Sequence, residues 1–353
     1  MRTAFLLFTT VAGLVLTGCK KDDDPPPATG GGGNNTGGGD GDVYLCGSID
    51  ISGEPYARYW KNGQEVELNS LGRPSSARAI WADDDHVVVG GKVREQGSVN
   101  YQPCYWVDDQ LFELDNEAGS SFCTVEDLFV VGGTDVHMAG HIRASSGFNK
   151  AMYWGGGSGS TELTDGSTDA EARGLCVVGN DVYVCGYVEN QAIGGEKIAT
   201  YWLNGNPVTL GTGEGDSEAN DIRVVNGDVI VVGTEYVYLP AIEDGQDQAL
   251  IWVNGVRNTL TANGGSAECL FVEGSTVYVG GMANVGVGTA LPRYWANGNS
   301  YGVYAGLGGV AEGHVLDMHV RNGAVYTTTG DLYSNNAANT SANYGGMYGL
   351  HVY

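Results

Sequence analysis

A Tyr-Trp or Ile-Trp pair recurs along this chain at Tyr59-Trp60, Tyr105-Trp106, Tyr153-Trp154, Tyr201-Trp202, Ile251-Trp252 and Tyr294-Trp295. Six of the seven tryptophans occupy this one position, which chance does not readily arrange and a repeated structural unit does. A second marker runs in step with it: short apolar runs begin at Val43, Val87, Val136, Val182, Val229, Val277 and Val325, spaced 44, 49, 46, 47, 48 and 48 residues apart. Seven positions before each later valine stands Ile80, Phe129, Leu175, Ile222, Leu270 or Met318, and five before it Ala82, Val131, Val177, Val224, Val272 or Val320. This alternation buries one face of a strand. Turns such as Asn204-Gly205 and Asn226-Gly227 supply the positive φ that two-residue hairpins need.

The unit therefore holds four short strands. The first ends at a tight turn, the second is valine-rich, the third carries Tyr-Trp, and the fourth follows the next Asn-Gly. A lone sheet of this size is marginal, but such sheets packed radially bury one another's faces. The chain has 58 glycines and 9 prolines, a composition suited to many tight turns. The reading is an all-β propeller over residues 42–353, seven-bladed, with six blades as the alternative. Seven second strands can be counted but only six first strands, and Met347-Tyr348 reads as a worn seventh copy of the aromatic strand. The termini should meet to close the ring.

The first 41 residues are different. Arg2 precedes a thirteen-residue apolar run, Ala4 to Leu16, that is short for a membrane span and suits a signal peptide. It ends in Leu16-Thr17-Gly18-Cys19, which resembles a bacterial lipobox and implies acylation of Cys19 after removal of residues 1–18. Lys20-Lys21-Asp22-Asp23-Asp24 resembles the export signal of Bacteroidota surface lipoproteins, implying display on the outer membrane. Residues 25–41 form a Pro- then Gly-rich tether with a reach of roughly 20–25 Å. The repeats themselves resemble WD40 and kelch blades in layout, and the HAF repeats of extracellular bacterial proteins in wording. They lack the Gly-His and Trp-Asp signatures, and the resemblance brings no catalytic residues with it.

Topology then narrows the site. If the strand before each tight turn is innermost, the long connections after strands two and four share one face. These include Lys92 to Gln102, Tyr187 to Ile198, Thr234 to Gln248 and Asp331 to Asn343. Loops on a rigid scaffold are where binding residues concentrate. This face is acidic, with Asp115, Glu117, Asp165, Asp169, Glu171, Glu214, Asp216, Glu218, Glu312, Glu235, Glu243, Asp244 and Asp247, and it adds Tyr236 and Tyr238. The candidate binding face is centred on Asp165, Asp169, Glu171, Glu214, Asp216, Glu218, Tyr236, Tyr238 and Asp244.

A net charge of −25 disfavours a nucleic-acid partner. No cofactor is expected. Calcium bridging loop carboxylates is the alternative, although no Asp-x-Asp-x-Asp-Gly run is present. No Gly-x-Ser-x-Gly elbow or phosphate loop appears. The chain reads as a module binding a glycan, peptide or protein, with a polysaccharide hydrolase or lyase using channel carboxylates, or a cation-binding envelope component, as alternatives. The six cysteines after Cys19 are read as free thiols.

Overall fold

A computed structural model describes residues 41–353 apart from 117–121, 156–158, 213, 240–243, 262, 287–288, 304–312, 330–331, 336–339 and 344–346. Cys19, the tether, Glu117, Glu243 and Glu312 thus lie outside the described residues. The strands form seven four-stranded antiparallel sheets. Blades are numbered here in chain order. Blades 2 to 6 each use consecutive strands, with innermost strands Ser75–Ala82, Cys123–Val131, Ala170–Val178, Ser217–Val225 and Gly265–Glu273. Blade 7 opens with Asp317–Arg321.

Blade 1 is built from both ends of the described chain. Met347–Val352 pairs antiparallel with Val43–Ile51, and Tyr44 faces His351 in the register. The Met347-Tyr348 segment is therefore the missing seventh inner strand, not a seventh aromatic strand. The aromatic position of blade 7 is held by Leu332–Asn335. An inner strand without its own tight turn carries no local marker in the sequence. Each innermost strand touches the next, and Met347–Val352 touches Ser75–Ala82, completing the ring.

The repeated tryptophans explain why the blades stay together. Trp60, Trp106, Trp154, Trp202, Trp252 and Trp295 are all buried. Each belongs to a separate apolar cluster lying between its own blade and the one before it. Between blades 6 and 7 the cluster is made by Cys269, Val315, Met318, Val320 and Val325 instead. A buried tryptophan removes ~200 Å² from water, an upper bound of ~5 kcal/mol at ~25 cal/mol/Å².

The Asn-Gly turns fold as their chemistry requires, with φ of 51° and 79° at Asn204-Gly205 and 52° and 88° at Asn226-Gly227. Asn204 also accepts from the Val182 backbone N–H and donates to Asp181, and Asn254 does the same with Val229 and Asp228. The asparagine thus ties the start of strand two to the turn after strand three.

The long connections are less loop-like than the sequence suggests. Asp228–Leu239 pairs with Asp244–Val253, so most of Thr234–Gln248 is a projecting hairpin. Asp181–Asn190 and Glu196–Leu203 likewise leave only a short turn around Gln191–Ile193. The alternation in Glu235-Tyr236-Val237-Tyr238 favours continued pairing over an irregular loop.

Candidate functional site: an axial cup lined by bulged residues

The inner strands break their own alternation. Ala219 and Ile222 are both fully buried although three residues apart, which a strict period of two forbids. A β-bulge resolves the conflict: the register with the second strand shifts between Ala219 and Asp221, leaving Asn220 unpaired. The same shift leaves Arg78, Glu126, Arg173 and Glu268 out of their ladders, and Tyr348 out of the pairing with Val43–Ile51. These six residues, with Leu316 of blade 7, line one cavity of about 90 Å³ on the propeller axis. That is room for about three water molecules. The sequence carries the signal seven times, in forms such as Ala77-Arg78-Ala79-Ile80, Ala172-Arg173-Gly174-Leu175 and Met347-Tyr348-Gly349-Leu350. It is visible once the small residue before each bulge is aligned as well as the leucine after it.

The residue after the bulge alternates between aspartate and a small side chain. Asp127, Asp221 and Asp317 stand two blades apart. Each accepts a backbone N–H from the inner strand of the next blade: Leu175 N at 3.0 Å, Leu270 N at 2.8 Å and Leu350 N at 2.8 Å. Each also accepts from the residue that follows it. The equivalent positions on the receiving strands are Gly174, Cys269 and Gly349. A Cβ at Gly174 would stand 2.9 Å from the backbone of Asp221, so the close approach there requires glycine.

Three residues deeper along the inner strands, about 10 Å, stand Trp81, Phe129, Cys176, Arg223, Phe271, His319 and His351. Six of these are buried and Phe271 is half-buried. Trp81 meets His351, His351 meets His319, and His319 meets Phe271 across successive blades. Arg223 reaches Asp221 at 2.6 Å and the Leu175 carbonyl at 3.3 Å. Burial would discharge this guanidinium, but Asp221 and Asp127 outweigh it and hold its pKa above the ordinary arginine value. These side chains form a floor. The cavity is a cup facing the side on which strand two connects to three and strand four to the next blade.

Above the bulged residues the rim is a charge network. Arg173 donates to Glu218 at 2.6 Å, to Asn220 at 2.9 Å and to Glu171 at 3.4 Å. Lys197 pairs with Glu218 at 2.5 Å. Burial opposes ionisation of Glu218, but Arg173 and Lys197 together keep its carboxyl below the usual range. Arg173 and Lys197 also lie over the Tyr187 ring, whose hydroxyl donates to Asp169. Burial, and then Glu171, push that phenol well up. At the entry to blade 7, His314 Nδ1 lies 2.9 Å from Glu268 and 3.0 Å from Ser266 of blade 6. Both neighbours meet the same ring nitrogen, so they do not form a Ser-His-Glu relay, which needs opposite nitrogens.

Of the residues expected from sequence, Glu171 and Glu218 reach the rim. Asp169 and Asp216 hold strands, accepting the backbone N–H groups of Asn149 and Lys197. Asp165 caps its own loop at Ser167. Tyr236 and Tyr238 are exposed on the projecting hairpin, and the Glu214–Asp216 turn lies beneath Tyr236. Asp244 opens the returning strand of that hairpin, opposite Leu239. These acidic residues thus divide among separate local tasks. Among the described residues no group of three or more His, Cys, Asp or Glu side chains could hold a metal ion. All six cysteines of the propeller are buried thiols outside any disulfide.

No protein-family model matches this chain, and no curated protein matches it in sequence. Among solved structures it is similar to a polysaccharide lyase, an ulvan lyase of a family termed PL25, at 12% identity over 89% of this chain and 92% of that one, TM-score 0.47. It is similar to the β-propeller domain of the Trilobed protease from Pyrococcus furiosus, at 8% identity over 84% and 88%, TM-score 0.46. It is also similar to a sucrose-6-phosphate hydrolase from Lactobacillus gasseri, at 10% identity over 88% and 86%, TM-score 0.35. These are likenesses of fold and say nothing of ligand or activity here. The chain is a seven-bladed β-propeller on the strength of its own sheets.

Proposed function

We propose that this chain is a lipid-anchored propeller on the outer face of the outer membrane that binds a glycan, peptide or protein at the mouth of its axial cup. The observation that carries the binding reading is the cup: all seven blades contribute to it, and a packed floor ends it. Bulges are a device for re-aiming side chains, and here they are repeated around one axis. The anchor rests on the lipobox at Cys19, and surface display on the Lys-plus-acidic run after it. The fragment 42–353 should capture a ligand on an array of cell-surface and dietary glycans or from envelope extracts. Blanks throughout would overturn the binding reading. Incorporation of labelled palmitate that persists in Cys19→Ala would overturn the anchor. The site works without bound metal in this reading, so a chelator should leave the melting temperature unchanged, since a metal specific to the native state would stabilise it.

A catalytic use of the same cup is the second reading. It is favoured by Glu126 and Glu268 lining one cavity with His314 against Glu268. Turnover of a polysaccharide by the purified fragment, abolished by Glu268→Gln, would establish it.

A further inference from the structure

Basic residues are outnumbered 17 to 42 by acidic ones, and most cations near the axis have a carboxylate partner. Arg173, at a bulge, is held by Glu218 and Glu171; Arg223, in the floor, by Asp221; Lys197, on the rim, by Glu218. Arg78 occupies the same bulge position in blade 2 and lines the cup, yet among the described residues it makes no ion pair or side-chain hydrogen bond. Its Nε is buried without a hydrogen-bond partner. Its guanidinium carbon lies over the Tyr348 ring, 4.2 Å from the centroid, a contact that holds the group in place and leaves its N–H donors for something else.

Lys92, on the neighbouring strand of the same blade, is half-buried over the Tyr101 ring and likewise has no ion pair among the described residues. Burial and then the charge of Arg78 depress its pKa against the pull of Glu126, so Arg78 on the cup wall and Lys92 beside it feel one another in poorly hydrated surroundings. Such a pair is costly unless an anion completes it.

We propose that this wall is an anion subsite of the cup, taking the carboxylate or sulfate of an acidic saccharide. Arg78 offers the bidentate donors that match such a group, and Lys92 supplies the second charge. The remainder of the cup favours a sugar over an acidic peptide. Glu126 and Glu268 line the cup with carboxylate oxygens able to accept from sugar hydroxyls, and together they repel a ligand with several negative charges. This subsite rests on the cup being the binding site.

The test is calorimetry on fragment 42–353 with four small probes: glucuronate, glucose 6-sulfate, glucose and triglutamate. Glucuronate or glucose 6-sulfate should bind with a Kd on the order of 1 mM, the efficiency usual for ligands of this size. Which of the two binds tighter tells carboxylate from sulfate. Glucose should bind at least tenfold more weakly. Arg78→Gln should weaken the acidic sugar at least tenfold while lowering the melting temperature by no more than loss of the Tyr348 ring contact allows, because no ion pair or hydrogen bond within the protein goes with it. Lys92→Met should weaken it in the same direction, and it serves if Arg78→Gln does not fold. Equal binding of glucose and glucuronate, an unchanged Kd in both variants, or no binding of either acidic sugar would overturn the subsite. Preference for triglutamate would overturn the saccharide assignment. A neutral glycan captured on the array and retained by Arg78→Gln would refute the anion subsite while leaving the cup as the binding site.

Discussion

Replacing Asp221 by alanine tests the way the blades are fastened at the axis. Asp221 is buried and accepts from Leu270 N of the next blade at 2.8 Å, from Ile222 N at 2.7 Å and from Arg223 at 2.6 Å. Alanine removes all three acceptor contacts and leaves Arg223 buried beside the floor. Loss of one partner of a buried ion pair costs about 3–5 kcal/mol, because the remaining charge stays desolvated. At about 2 °C per kcal/mol for a domain of this size, the melting temperature should fall by about 6–10 °C. Thermal denaturation followed by circular dichroism, with urea unfolding as a second measure, reads the change. Asp127→Ala is the internal comparison. Asp127 accepts from Leu128 N and Leu175 N and supports the Arg223 charge less than Asp221 does, so its loss should cost less, about 1–3 kcal/mol. Pairing Asp221→Ala with Arg223→Met should recover part of the loss, since the orphaned charge goes with it. A melting point for Asp221→Ala within about 1 °C of the parent, or one no lower than that of Asp127→Ala, would refute Asp221 as a fastening between blades.

Trp202→Ala should cost about 3–5 kcal/mol in urea unfolding, as large core truncations do. Trp202→Phe should cost less than Trp106→Phe, because the Trp202 indole N–H is buried without a hydrogen-bond partner while that of Trp106 donates to the Asn69 carbonyl; equal losses for the two Phe variants would contradict this. The six thiols of fragment 42–353 should resist a thiol reagent in the native state and react in denaturant, since burial pushes Cys123 up to about 12 and Cys104, Cys185 and Cys269 well above the ordinary thiol value. His314 is held above the ordinary histidine value by its hydrogen bond to Glu268. Its folded pKa exceeds its unfolded one, so its contribution to stability is complete below about pH 6.5 and is lost as pH rises through the folded value. An NMR titration should show that raised midpoint, and Glu268→Gln should bring it down; a midpoint indifferent to the change would remove Glu268 as the cause.

What the sequence showed and what it hid differ in the range over which each signal acts. Trp202 and Asn204-Gly205 announce themselves locally: a large aromatic at a fixed place in each unit, and a turn whose φ values only certain residues accept. The blade layout followed from these. The cup did not, because a bulge is a relation between two strands. Asn220 is an ordinary polar residue until Ala219 and Ile222 are seen to be buried together. The separate tasks of the acidic residues stayed hidden for a related reason. Glu218 and Asp216 look alike in sequence, but one faces Arg173 and the other accepts a backbone N–H in a strand connection. Counting carboxylates on a face cannot separate these roles, whereas counting cations nearly could. With 17 basic residues against 42 acidic ones, each cation has an excess of available partners. A position such as Arg78, where the bulge repeat places a cation in the cup and the chain supplies no carboxylate within ion-pair reach among the described residues, is therefore more informative than the acidic residues that surround it.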